Sequence, residues 1–73
     1  MAYFLRIRDK TKDKNTDVTF AEFFFSDRSA AKVIGKKLLP LTKSNVIIEL
    51  HSNFYDMYNL EILNRNTKMW DLT

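Results

Sequence analysis

A single segment of this chain, Ser26 to Pro40, places its apolar residues at helical spacing, and it lies between stretches that alternate apolar and polar residues. This switch of period from two to about 3.6 and back restricts the fold more than any other feature. A lone helix must bury its stripe against something, and here only strands are on offer. Ser26, Asp27 and Ser29 are all N-cap residue types and lie just before "AAKVIGKKLL", with Ser26 or Asp27 the expected cap. Pro40 ends the helix at about Leu39, because its ring disfavours helical geometry in the residue before it. On a helical wheel Ala30, Ala31, Ile34 and Leu38 form the apolar stripe, and Arg28, Lys32 and Lys36 form a row on the opposite side. Gly35 costs up to about 1 kcal/mol against Ala in mid-helix, at a position that allows close packing.

The strands follow from alternation. Tyr3 to Asp9 sets Tyr3, Leu5 and Ile7 on one face and Phe4, Arg6 and Arg8 on the other. Lys10 to Asp17 has no apolar residue and reads as a solvated hairpin loop. Val18 to Phe25 gives a second strand, with Ala21, Phe23 and Phe25 toward the core and Phe20, Glu22 and Phe24 away from it. Val46 to His51 turns Val46, Ile48 and Leu50 inward and Ile47, Glu49 and His51 outward. "SNFYD" predicts a turn, and Met57 to Leu63 a fourth strand with Tyr58, Leu60 and Ile62 as its core set. "NRNT" has turn chemistry, with Asn tolerant of left-handed backbone, and "KMWDL" closes the chain as a short strand carrying Trp70. The expected fold is α+β, order ββαβββ: a small antiparallel sheet with one helix packed on one face. The expected core is Leu5, Ile7, Phe23, Ile34, Leu38, Ile48, Leu50, Leu60 and Ile62.

Seventy-three residues predict a single domain over 1–73, near the size at which one core just offsets chain entropy. With 45% hydrophobic and 14% aromatic residues the chain has the composition of a folded protein. It has no cysteine, so neither a disulfide framework nor a thiolate metal site can form. No signal-peptide pattern opens the sequence, and no apolar run approaches the roughly 18 to 20 residues that span a bilayer. These features predict a soluble protein of the cytoplasm with no membrane partner.

Catalytic constellations are scarce. His51 is the only histidine, and a base also needs an orienting partner and a pocket. Asp9, Asp13 and Asp17 recur at intervals of four, but the loop lacks the glycine and terminal glutamate of an EF-hand. No glycine-rich phosphate loop or nucleophile motif is present. The expectation is a protein that is not an enzyme and takes no cofactor or metal.

Two surfaces carry functional promise. The row of Arg28, Lys32 and Lys36 has no acid within the helix at i,i+4, so it reads either as a solvated face or as an electrostatic docking face, to which Lys37 and Lys43 could add. The net charge of +3 and pI near 9.3 suit an acidic partner or nucleic acid. The second surface is the sheet face away from the helix. There Phe4, Arg6 and Arg8 would meet Phe20 and Phe24, with Ile47 and Met57 nearby, as an aromatic and basic patch, unless the sheet curls over it.

Ser29, Ala30, Ala31 and Lys32 at the helix start, and Lys68, Trp70 and Asp71 at the end, occur in the order strand, strand, helix, strands. This layout resembles the small host-takeover proteins of bacteriophages, in particular compact anti-CRISPR proteins. The chain departs from it in a longer charged first loop and in the intervening Met69. The resemblance implies stoichiometric binding and inhibition of a host protein complex, of the kind that handles nucleic acid, without catalysis. The alternative is direct binding of nucleic acid, with Phe4 and Phe24 stacking bases and Arg6, Arg8, Arg28, Lys32 and Lys36 holding phosphates. Both readings use the same residues, and the sequence leaves open whether the chain forms a homodimer through its open sheet face.

Overall fold

The computed structural model describes residues 2–9, 19–52 and 60–72. Strands β1 (Tyr3–Asp9) and β2 (Thr19–Phe25) precede helix α1 (Arg28–Leu38) and a 3-10 turn (Leu39–Leu41), and β3 (Val46–Ser52), β4 (Glu61–Leu63) and β5 (Trp70–Leu72) follow. The five strands form one sheet in the order β2-β1-β3-β4-β5, and every neighbouring pair is antiparallel. The α+β architecture and the order ββαβββ are as the change of period predicts. The expected 10–17 loop, the 53–56 part of the turn and the 57–59 part of the fourth strand, including Met57 and Tyr58, lie outside the described residues. No helix among the described residues is long and apolar enough to cross a membrane.

The sheet order makes β1 and β3 its centre, and α1 crosses that centre, packing on β1, β2 and β3. Alternation in the central strands brings Leu5 opposite Leu50 and Ile7 opposite Ile48, all four facing the helix and buried. Burial of such side chains stabilises by about 1.5–3 kcal/mol each. Ala31, Leu39 and Leu63 complete the buried cluster, with Tyr3, Ala21, Phe25, Leu38, Val46 and Trp70 packed around it.

Asp27 is the N-cap: its backbone is extended and its carboxylate accepts from the Ser29 N–H at 3.2 Å. The helix ends at Leu38, where Pro40 enters the 3-10 turn. Arg65, from the β4–β5 turn, holds this end down. Its guanidinium donates to the carbonyls of Leu39 and Thr42 at 3.2 Å, to Thr42 Oγ1 at 2.9 Å and to the Val46 carbonyl at 3.0 Å. One side chain thereby ties together the 3-10 turn, the loop after it and the start of β3.

Several side chains depart from the expected core. The buried helix positions are Ala31 and Gly35, with Leu38 partly buried, while Ala30 is exposed and Ile34 is 36% exposed. The expected stripe leaves out Gly35, yet its missing side chain sets the approach. A Cβ on Gly35 would lie 2.6 Å from Trp70 Cζ2 and 2.9 Å from Cη2, so the indole occupies the space a side chain would take. In β4 the face is reversed: Glu61 and Leu63 are buried, and Ile62 is on the other side with Glu49 opposite it. Leu60 precedes the strand and is half-buried. Phe23 lies opposite Leu5 on the helix side as expected, but on edge strand β2 it remains 44% exposed.

In the last turn Asn64 Oδ1 accepts from the N–H groups of Asn66 and Thr67, and Asn64 N–H donates to the Met69 carbonyl at 2.8 Å. The left-handed residue is Lys68, with φ of 63°, and not an asparagine. Asn64 acts through its side chain, mimicking a backbone turn.

Candidate functional site

Away from the helix, the register of β2, β1 and β3 lines up three rings. Phe4 is directly opposite both Phe24 and His51. Its ring stacks on the His51 imidazole at 4.7 Å with an interplanar angle of 5°, and it meets Phe24 at 5.5 Å, tilted by 38°. The Arg6 guanidinium sits 5.5 Å from the Phe4 ring centroid, a cation–π arrangement. His51, read from the sequence as an outward strand residue, is thus part of the aromatic row. Only the cross-strand register brings it there.

At the outer edge the row ends in open apolar surface. A register shift between Ile7 and Arg8 leaves Phe20 without an opposite residue on β1. Phe20 and Phe24 are 54% and 53% exposed. With Phe23 on the other face, β2 exposes aromatic rings on both sides of a sheet edge.

Four of the expected cations are paired with acids of the chain itself. Arg6 Nε donates to Glu22 Oε2, and Arg8 Nε to Glu49 Oε2, each at 3.0 Å. Glu49 also meets His51 Nε2 at 3.1 Å. On the helix, Arg28 and Lys32 both engage Glu61 of β4, Lys32 Nζ at 3.1 Å from Oε1 and Arg28 on Oε2. The expectation that this row lies opposite the core is therefore corrected. At about 100° per residue a four-residue step advances only about 40°, so Arg28 and Lys32 flank the Ala31–Gly35 stripe on the side of β4. The i,i+4 acids missing from the helix are replaced by one acid from the sheet. Lys36, Lys37 and Lys43 are exposed and have no carboxylate partner among the described residues.

Burial pushes the carboxyls of Glu49 and Glu61 up, but their partners outweigh it. Hydrogen bonds from His51 and Arg8, with the Arg8 charge, hold Glu49 below the usual carboxylate range. Hydrogen bonds from Arg28 and Lys32, with both charges, do the same for Glu61. These two glutamates are the site residues that the sequence reading missed. A glutamate flanked by aliphatics in a β-strand is the available signal, because such a position is buried and an acid there needs cations.

No protein-family model matches the chain, and neither a curated protein nor a solved structure matches it.

Proposed function

We propose that the protein is a non-catalytic binding protein that acts by occupying the surface of another protein through β2 and the aromatic row beside it. The observation that carries this reading is the contrast between consumed cations and open rings. Arg6, Arg8, Arg28 and Lys32 are engaged by Glu22, Glu49 and Glu61, whereas Phe20, Phe23 and Phe24 stay 44–54% exposed along one edge strand. Phosphate binding needs free cations, and an exposed apolar edge strand favours protein contact. The resemblance to compact anti-CRISPR proteins makes a host complex that handles nucleic acid the expected target, and inhibition by occupancy the expected mode. A target strand adding to β2 would gain backbone hydrogen bonds as well as aromatic contact.

The test is affinity capture from nuclease-treated host lysate near physiological salt, with the wild-type chain and with a Phe20→Ser, Phe24→Ser double variant. A retained protein that the double variant loses supports the proposal. Failure to retain any partner, or tight salt-sensitive binding of a purified oligonucleotide by the protein alone, overturns it.

A further inference from the structure

At the opposite edge of the sheet from β2, α1 and the approach to β5 enclose a groove of about 270 Å³ lined by Lys32, Val33, Lys36, Met69 and Trp70. It is too small for a drug-sized ligand, whose pockets run from roughly 300 to 1,000 Å³, and suits one or two side chains. Its walls are apolar: the Trp70 indole, Met69 at 59% exposure and Val33 at 52%. The polar side chains of its lining are all donors. Lys32 and Lys36 lie one helical turn apart, and none of the lining residues is an acid. Lys32 shares the buried Glu61 with Arg28, so of the two lining cations Lys36 is the one without a carboxylate partner among the described residues. Trp70 lines the groove from the start of β5. Its Nε1–H is buried without a hydrogen-bond partner, the one side-chain polar atom in that condition among the described residues. A buried donor left unmade costs about 1–3 kcal/mol. The ring cannot retreat toward the helix, because its edge already fills the space above Gly35.

We infer that this groove binds an acidic, apolar peptide segment of a protein partner, with a glutamate or aspartate carboxylate seated between Lys36 and Lys32. The neighbouring apolar side chain of the peptide lies on Trp70, Met69 and Val33. Charge complementarity selects the occupant: the lining side chains offer two ammonium groups and no carboxylate beside an apolar wall. The inference stands apart from the β2 surface, which lies at the far edge of the sheet.

Trp70 is the only tryptophan, so an ¹⁵N-labelled chain gives a single indole N–H resonance, from a ring that lines the groove. The experiment titrates the full chain with the blocked peptide acetyl-Leu-Glu-Leu-Glu-Leu-amide and its glutamine counterpart, and separately with inorganic phosphate and a thymidine oligonucleotide. The expected result is a saturable shift of the indole peak by the glutamate peptide, with affinity at least about tenfold above that of the glutamine peptide. Lys36→Gln, an exposed position, weakens binding about fivefold or more while the remaining spectrum reports the native fold. Lys37→Gln, outside the lining, and Phe24→Ser, at the other edge, leave the titration unchanged. An unmoved indole peak, equal response to the two peptides, an unaffected Lys36→Gln variant, or tighter binding of phosphate or oligonucleotide than of the glutamate peptide each overturns the inference.

Discussion

The two faces of the sheet each hold a buried glutamate between two basic side chains, and they solve the same problem with different amounts of water. Glu49, on the face away from the helix, takes Arg8 from β1 and His51 from its own strand, and these side chains are only 16% and 22% exposed. Glu61, on the helix face, takes Arg28 and Lys32 from α1, at 47% and 32%. The first cluster is dehydrated on both sides of the ion pair and ties strand to strand. In the second, cations reach in from solvent and tie helix to sheet. Two ion pairs with similar geometry therefore carry different stability consequences, because what matters on losing a partner is whether the remaining charge can be hydrated.

Removing one cation from each cluster gives the largest expected effect. Arg8→Ala leaves Glu49 buried without its guanidinium and should cost about 3–5 kcal/mol, measured as the loss of unfolding free energy in urea. Since such a domain has only about 5–15 kcal/mol in total, this variant stands near the threshold of folding. Arg28→Ala should cost about 1 kcal/mol, because the half-exposed arginine is partly hydrated already and Lys32 stays on Glu61. Equal losses at the two positions would refute the distinction between the clusters.

Acid attacks both clusters at once but leaves every side chain in place. Both glutamates have their folded-state affinity for protons lowered, so the unfolded chain binds more protons as the pH drops. Their contribution is fully present above the ordinary glutamate value of about 4.3 and is lost as the pH falls through the lowered folded values. Urea midpoints taken from about pH 7 down to about pH 3 should therefore fall, and Glu61→Gln should flatten part of that decline. A midpoint that stays level or rises toward acid would contradict the pairing of both glutamates.

The helix-face cluster also depends on how closely α1 lies against the sheet, which Gly35 sets. Replacing this glycine tests two opposed effects: alanine gains up to about 1 kcal/mol in helix propensity, while its Cβ would come within 2.6 Å of the Trp70 ring. Overpacking of this kind costs typically about 1–3 kcal/mol, and the clashing atoms belong to a bulky ring and not to a flexible tail. Gly35→Ala should therefore destabilise despite the better helix former. It should also lift α1 from β4 and weaken the Arg28 and Lys32 contacts. A thermal midpoint above wild type would show that the indole gives way freely.

How much of this was legible in the sequence depends on the range of the interaction. The strands Tyr3–Asp9 and Val46–Ser52 and the Asp27-capped helix follow from local alternation, periodicity and capping, and they appear within a residue or so of the expected bounds. The aromatic face of β2 was legible for the same reason. In β4, three residues alternate as Glu61, Ile62 and Leu63, and pattern alone favours burying Ile62 because an acid in a core is costly. The cost is offset by Arg28 and Lys32, 33 and 29 positions away, which no local pattern reveals. The same holds for Arg6 and Arg8, whose acids arrive through cross-strand register. The packing of Trp70 against Gly35 joins an absent side chain to the largest one.

The smallest expected effect sharpens the comparison within one face. Arg6 and Arg8 lie on the same strand, point the same way and each donates through Nε to a carboxylate at 3.0 Å. Distance alone would rank them equal. Arg6 and Glu22, however, are 32% and 36% exposed, so water screens the pair and either charge can be hydrated once the other is gone. Arg6→Ala should cost less than about 1 kcal/mol, including the loss of its cation–π contact with Phe4. High salt should shrink even that difference, whereas the Arg8→Ala loss should persist because the buried pair is poorly screened. The check is a set of urea unfolding curves for wild type, Arg6→Ala and Arg8→Ala at low and high sodium chloride. If Arg6→Ala cost as much as Arg8→Ala, or if salt erased both losses alike, exposure would not be what separates these ion pairs, and the contrast between the two glutamate clusters would lose its physical basis.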